Sequence, residues 1–217
     1  MFAHLFRPAL LSLACLSVLP FTGCQTAYYA AMEQIGLEKR DLLKHAVKSA
    51  RREQEDTVET FQDALTQLKA MTGYDGGELE RGYNRFKAEY DDCESQARQV
   101  RSRIAEVDRV ARDLFREWEG EIAEYTDPGL AASSRSQLAQ TRSRFSQLSA
   151  SLHAAEATIE PVLSRFRDQV LYLKHNLNAA AIGSLRGQAS SIQSDLSRLI
   201  HRMESAIQES DRIVKTL

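Results

Sequence analysis

Residues 78–118 read ELERGYNRFKAEYDDCESQARQVRSRIAEVDRVARDLFREW. Leu79, Tyr83, Phe86, Tyr90, Cys93, Ala97, Val100, Ile104, Val107, Ala111, Leu114 and Trp118 follow one another in eleven steps that alternate four and three residues. An average spacing of 3.5 residues keeps one apolar seam of a helix against a partner. Chance amphipathicity does not sustain such a run. The same alternation continues on either side. Leu138, Thr141, Phe145, Leu148, Leu152, Ala155, Ile159, Val162 and Phe166 carry it through a third segment. Ile182, Leu185, Ala189, Ile192, Leu196, Leu199 and Met203 carry it through a fourth. In the first segment Val58, Phe61, Leu65 and Leu68 are in phase. Residues 48–57 are almost wholly polar, which predicts a stretch with thin core contact that faces water.

Three punctuation points separate these segments. In Thr72-Gly73-Tyr74-Asp75-Gly76-Gly77, Asp75 followed by Glu78 resembles a capping box. In Thr126-Asp127-Pro128-Gly129, Asp127 suits an N-cap and Pro128 the first helical position. In His175-Asn176-Leu177-Asn178, Asn178 suits the cap of a last helix. The fold class is therefore all-α: an elongated antiparallel four-helix coiled-coil bundle with helices at about 26–71, 78–125, 128–175 and 179–216. Pro161 lies inside the third pattern without breaking its phase, which predicts a kink there. The step from Phe166 to Val170 is a local stutter. Residues 78–125 carry 13 acids and 9 bases, and residues 130–175 carry 3 acids and 6 bases, so the second and third helices complement each other in charge.

The first residues read differently. Arg7 precedes an apolar run from Pro8 to Leu19, far short of the roughly 20 residues that span a bilayer. This pattern is that of a cleavable export signal over residues 1–23. Phe21-Thr22-Gly23-Cys24 resembles the lipobox of bacterial lipoproteins, with Phe21 where Leu is usual. That resemblance implies lipidation at Cys24, a mature chain of residues 24–217, and attachment to a membrane through an N-terminal lipid. Gln25 rather than Asp after the cysteine implies the periplasmic face of the envelope, with the outer membrane favoured over the inner.

Tyr28, Tyr29 and Met32 follow within a few residues of Cys24 and are candidates for membrane-proximal contact. The alternative is plain packing against the turn at 126–129 and the C-terminus. At the opposite end the topology gathers Tyr74, Asp75, Lys174, His175, Asn176 and Asn178, candidates for a partner contact at a distal tip. Against this, Gly and Asn serve turn geometry on their own account. No catalytic constellation is legible. His45, His153, His175 and His201 are scattered, and none has Glu three residues before it, so no metal is expected. The serines stand in no nucleophile elbow, and no glycine-rich phosphate loop occurs, so no cofactor is expected. Bases interleave with acids at a formal charge of −2, which argues against nucleic acid. Cys93 sits on the seam and reads as a small apolar side chain, with a redox role or an intermolecular disulfide as the lesser alternatives.

Several stretches together resemble an uncharacterised bacterial family of helical lipoproteins, a domain of unknown function. They are Cys24-Gln25-Thr26-Ala27-Tyr28-Tyr29 with Met32-Glu33, Gly36 and Lys39-Arg40-Asp41; Asp75-Gly76-Gly77-Glu78-Leu79-Glu80; and Leu114-Phe115-Arg116-Glu117-Trp118-Glu119. Pro161-Val162-Leu163 and the run from Phe166 to Ala179 complete the set. The resemblance implies a helical, membrane-attached protein and transfers no activity. The expected function is a non-enzymatic envelope scaffold, spacer or docking rod with a protein partner. A lipid-binding or membrane-remodelling helical protein is the alternative. The seam that faces a helix of the same chain would also serve a second copy, so homo-oligomerisation stays open.

Overall fold

The computed structural model describes residues 39–73 and 78–217. Cys24, Tyr28, Tyr29 and Met32 lie outside the described residues, as do Tyr74 and Asp75. The described elements are α1 (Lys39–Ala70), a short 3₁₀ turn (Met71–Gly73), α2 (Glu78–Glu124), α3 (Pro128–Glu156), α4 (Ile159–His175) and α5 (Ala179–Val214). Among the described residues there is no strand.

Local chemistry sets the helix ends. Asp127 has extended backbone, and its Oδ1 accepts from Gly129 N at 2.7 Å and Leu130 N at 3.2 Å. These are orphan donors of the first turn of α3. An added Cβ at Gly129 would stand 3.1 Å from that oxygen, so glycine lets the carboxylate close in. Asn178 caps α5 in the same way, with its Oδ1 3.0 Å from Ala181 N.

Polar contacts between helices show how they lie. Between α1 and α2, Lys39 pairs with Glu117, Gln96 Nε2 donates to Glu53 Oε1 at 2.7 Å, and Cys93 Sγ lies 3.7 Å from the Thr60 carbonyl. Between α2 and α3–α4, Glu119 meets Arg142, Asp108 meets His153, and Tyr90 meets Arg167. Between α1 with its following 3₁₀ turn and α5, Arg51 meets Asp211, Lys69 meets Gln193, and the Thr72 carbonyl accepts from Arg186. In each set the residue number falls on one helix as it rises on the other.

The seam buries itself as the spacing demands. In α2, every member from Phe86 to Leu114 is buried, while Tyr83 and Trp118 are half-buried. Phe61 of α1, Phe86 of α2 and Phe166 of α4 meet in the centre. Phe61 and Phe166 have ring centres 6.1 Å apart, and Phe86 meets Phe166 edge-on at 5.7 Å. Such ring pairs add about 0.5–1.5 kcal/mol beyond the area they bury.

Two expectations need correction. The polar stretch 48–57 does not merely face water: Ala50, Glu53, Gln54 and Thr57 are all buried. The seam of α1 runs Leu43, Val47, Ala50, Gln54, Thr57, Phe61, Ala64, Leu68, an unbroken alternation of four and three. Gln54 and Thr57 occupy core positions, and their polarity hid the phase. The second correction concerns the third segment. It divides at Ala157–Thr158 into α3 and α4, three residues before Pro161. Thr158 N turns back to the Ala155 carbonyl at 3.0 Å, and Thr158 Oγ1 donates to the same oxygen at 2.6 Å. Pro161 is then the third residue of a new helix, where its missing N–H is no loss. The apolar phase crosses this break intact, with Ala155, Ile159, Val162 and Phe166 all buried. At the stutter, Gln169 and Val170 are both buried, which bridges the change of phase.

Candidate functional site

The two turn regions of the described chain hold its large exposed apolar side chains. Tyr125 and Leu130 flank the turn at 126–129, and Leu171 and Tyr172 precede the turn at 176–178. They lie at helix ends because the long helix middles have their apolar stripe covered by neighbours.

At the 176–178 turn, the four described candidates divide by role. Asn178 is consumed by its cap. Asn176 Nδ2 donates to the Tyr172 carbonyl at 2.9 Å, and its backbone N–H reaches Leu173 O, so it closes α4. Lys174 and His175 are exposed in the last turn of α4, where a cation complements the helix dipole. Arg186 donates to the Thr72 carbonyl at 3.0 Å, which ties the start of α5 to the 3₁₀ turn. Among the described candidates and their apolar neighbours here, Leu171, Tyr172, Lys174 and His175 are left exposed with no capping role.

Sequence reasoning missed a second feature. A chain of polar contacts runs along the contact between α2 and α3–α4. Ser149 Oγ donates to Asp108 Oδ1 at 2.9 Å, and Asp108 Oδ2 lies 2.8 Å from His153 Nε2. His153 Nδ1 is 3.3 Å from Glu156, which pairs with Arg101. Arg101 also reaches Glu160 at 3.1 Å, on the far side of the break at Ala157–Thr158. Arg167 then links Glu160 to Glu94 and donates to the Tyr90 hydroxyl. The Asp108 carboxylate holds the His153 imidazole above its ordinary pKa, against a smaller effect of burial. Nearer the 126–129 turn, Arg142 pairs with Glu119 at 2.6 Å and lies 5.3 Å from the Phe115 ring centre. The bond to Arg142 holds the Glu119 carboxyl below its usual range. The charge complement between residues 78–125 and 130–175 signalled such pairs, but only the fold says which charges meet. The most exposed of these pairs, such as Arg142 with Glu119, are screened by water and contribute little to stability.

Cys93 is fully buried, and burial together with Glu89, Asp92 and Asp63 pushes its thiol far up. The thiolate that redox chemistry needs is thereby disfavoured. Burial and the carboxylates of Asp63 and Asp92 also raise Glu89. Among the described residues, no three His, Cys, Asp or Glu side chains group to hold a metal ion. Among the same residues, no helix is long and apolar enough to cross a membrane.

No curated protein and no solved structure matches the chain. One family model does, over residues 28–217, and its description is a protein of unknown function, DUF2959. That span takes in all of the helices and both turn regions described above, so the chain belongs to the DUF2959 family.

Proposed function

We propose that this protein is a membrane-anchored envelope lipoprotein that works as a non-enzymatic scaffold, spacer or docking rod. The observation that carries the reading is the confinement, among the described residues, of the large exposed apolar side chains to the helix ends, Tyr125 and Leu130 at one turn and Leu171 and Tyr172 at another. A body that meets partners end-on exposes apolar surface there and covers its flanks with charge. The polar contacts whose numbers fall as their partners rise support an elongated antiparallel four-helix bundle, bent where α3 gives way to α4 before Pro161. At 1.5 Å per residue, the 47 residues of α2 extend roughly 70 Å, a reach suited to spacing.

Lys39 pairs with Glu117, so the start of α1 lies with the part of α2 that leads to the turn at 126–129. Leu171, Tyr172, Lys174 and His175 lie beyond Arg167, which meets Tyr90 in the first part of α2, and form the surface read as meeting a protein. Attachment is to the periplasmic face of the envelope, at the outer membrane in preference to the inner. Crosslinking in intact cells from positions 172 and 175, followed by mass spectrometry, should return a defined protein partner. Cys24→Ala should abolish acyl labelling and release the protein from membranes. If crosslinks from 172 and 175 return only lipid, and the unlipidated chain binds vesicles, the protein is instead a lipid-binding or membrane-remodelling one.

A further inference from the structure

The two exposed apolar pairs stand among charges of opposite sign. Tyr125 and Leu130 follow Glu121 and Glu124, which are exposed and enter no ion pair among the described residues. Leu171 and Tyr172 precede Lys174 and His175, exposed and equally without an ion pair among those residues. The two surfaces lie toward opposite ends of α2. Glu119 meets Arg142, so residues 125–130 lie past the last turns of α2. Tyr90 meets Arg167, so residues 171–175 lie toward its start at Glu78. Neighbouring charges cancel within their own helix, Arg116 with Asp113 at one end and Glu78 with Arg81 at the other. The last turn of α2 carries acids and no base, where the helix dipole favours a cation. The last turn of α4 carries Lys174 and His175. One end therefore lacks what the other displays.

We propose that these ends meet between copies of this chain: the 171–175 surface of one protein docks on the 121–130 surface of the next. This rests on the reading above that residues 171–175 meet a protein, and it names that protein as a second copy. The Leu and Tyr side chains cover one another, and Lys174 supplies the cation that the last turn of α2 lacks. Like ends do not serve, since acid would face acid and base would face base. The contact joins unlike surfaces, so each added copy leaves one end of each kind free, and the array stays open. Because every copy keeps its own anchor, the array runs along the membrane. Two apolar side chains a side make a small interface, of the weak and transient class that buries less than roughly 1,200 Å² in total.

The test mixes two end-blocked variants of the full chain, purified in detergent and sized by sedimentation velocity over a concentration series. The unaltered chain should grow past the dimer as concentration rises, and less so as salt is raised. Leu171→Asp and Leu130→Asp each place a carboxylate in one end, and each alone should lower the association constant by about tenfold or more. Mixed, the two variants should form one-to-one dimers and nothing larger, because each retains the end the other has lost; this recovery also shows that both are folded. No association of the unaltered chain overturns the proposal. So does assembly that Leu171→Asp abolishes and Leu130→Asp leaves intact, which means that like ends pair. Crosslinking from position 172 in intact cells separates this inference from the reading it rests on. Capture of residues 121–130 of a second copy supports both. A different protein at that position keeps the docking reading and overturns self-assembly, and lipid alone overturns both.

Discussion

Two layers of this bundle stand one heptad apart and could hardly differ more. In one, Phe61, Phe86 and Phe166 meet ring to ring. In the other, Gln54 and Thr57 bring polar groups to the same seam. Backbone phase is the same in both, since Gln54, Thr57 and Phe61 belong to one alternation in α1. The difference lies in what the side chains do with burial. The aromatic layer converts burial into contact, at roughly 25 cal/mol per Å² of apolar area. The polar layer gains little from burial and sits beside the break between α3 and α4. Position in the heptad therefore decides what is inside, and side-chain chemistry decides how firmly it is held.

The largest expected effect breaks the aromatic side of this comparison. Phe166→Ala removes the ring shared by both contacts and should cost about 3–5 kcal/mol of stability in denaturant unfolding. A loss below about 1 kcal/mol would show that the rings do not form a packed centre. A double-mutant cycle of Phe61→Ala with Phe166→Ala should next return a coupling of about 0.5–1.5 kcal/mol. Strict additivity would mean that the two rings act separately. On the polar side, Thr57→Val replaces a buried hydroxyl whose proton merely returns to its own helix. Its cost in the same assay should stay under about 1 kcal/mol. If it instead rivals Phe166→Ala, the polar layer is as firmly held as the aromatic one.

The smallest effect concerns the outside of the same region. The pKa of His153 is raised in the folded state above its ordinary value of 6.5, chiefly by Asp108. The sign follows from linkage: the imidazolium–Asp108 contact contributes fully below pH 6.5, and its contribution disappears as pH rises through the higher folded value. Because His153 is half exposed, the change should be slight. His153→Asn should flatten that part of the stability profile. An unchanged pH dependence in the variant would exclude the Asp108 contact as its source.

Much of the fold was legible because α2 spells its seam in apolar residues, and because Asp127 and Asn178 announce the helices they cap. The seam of α1 was not legible through residues 48–57. A scan for apolar periodicity cannot see Gln54 and Thr57 as core positions, and it took phase from Val58 and Leu65 instead. Pro161 pointed to an irregularity but not to its form, since a proline inside a pattern can bend a helix or begin one. The candidate tip residues were legible as turn formers. Their division into caps, Asn176 and Asn178, and exposed groups, Lys174 and His175, depended on which backbone atoms needed partners. The exposed pair Leu171 and Tyr172 carries no periodic signal, because the heptad steps over both from Val170 to Leu173.

By itself, the sequence determined that the chain is helical and where most helices begin and end, because periodicity and capping act within a few residues. It also determined most of the apolar seam, since a spacing of 3.5 residues has one structural meaning. Only the tertiary structure decided that the polar stretch of α1 is core, that the third segment divides before Pro161, and which charges pair along α2. Those outcomes depend on which residues of distant segments reach the same level of the bundle, and no local pattern records that register.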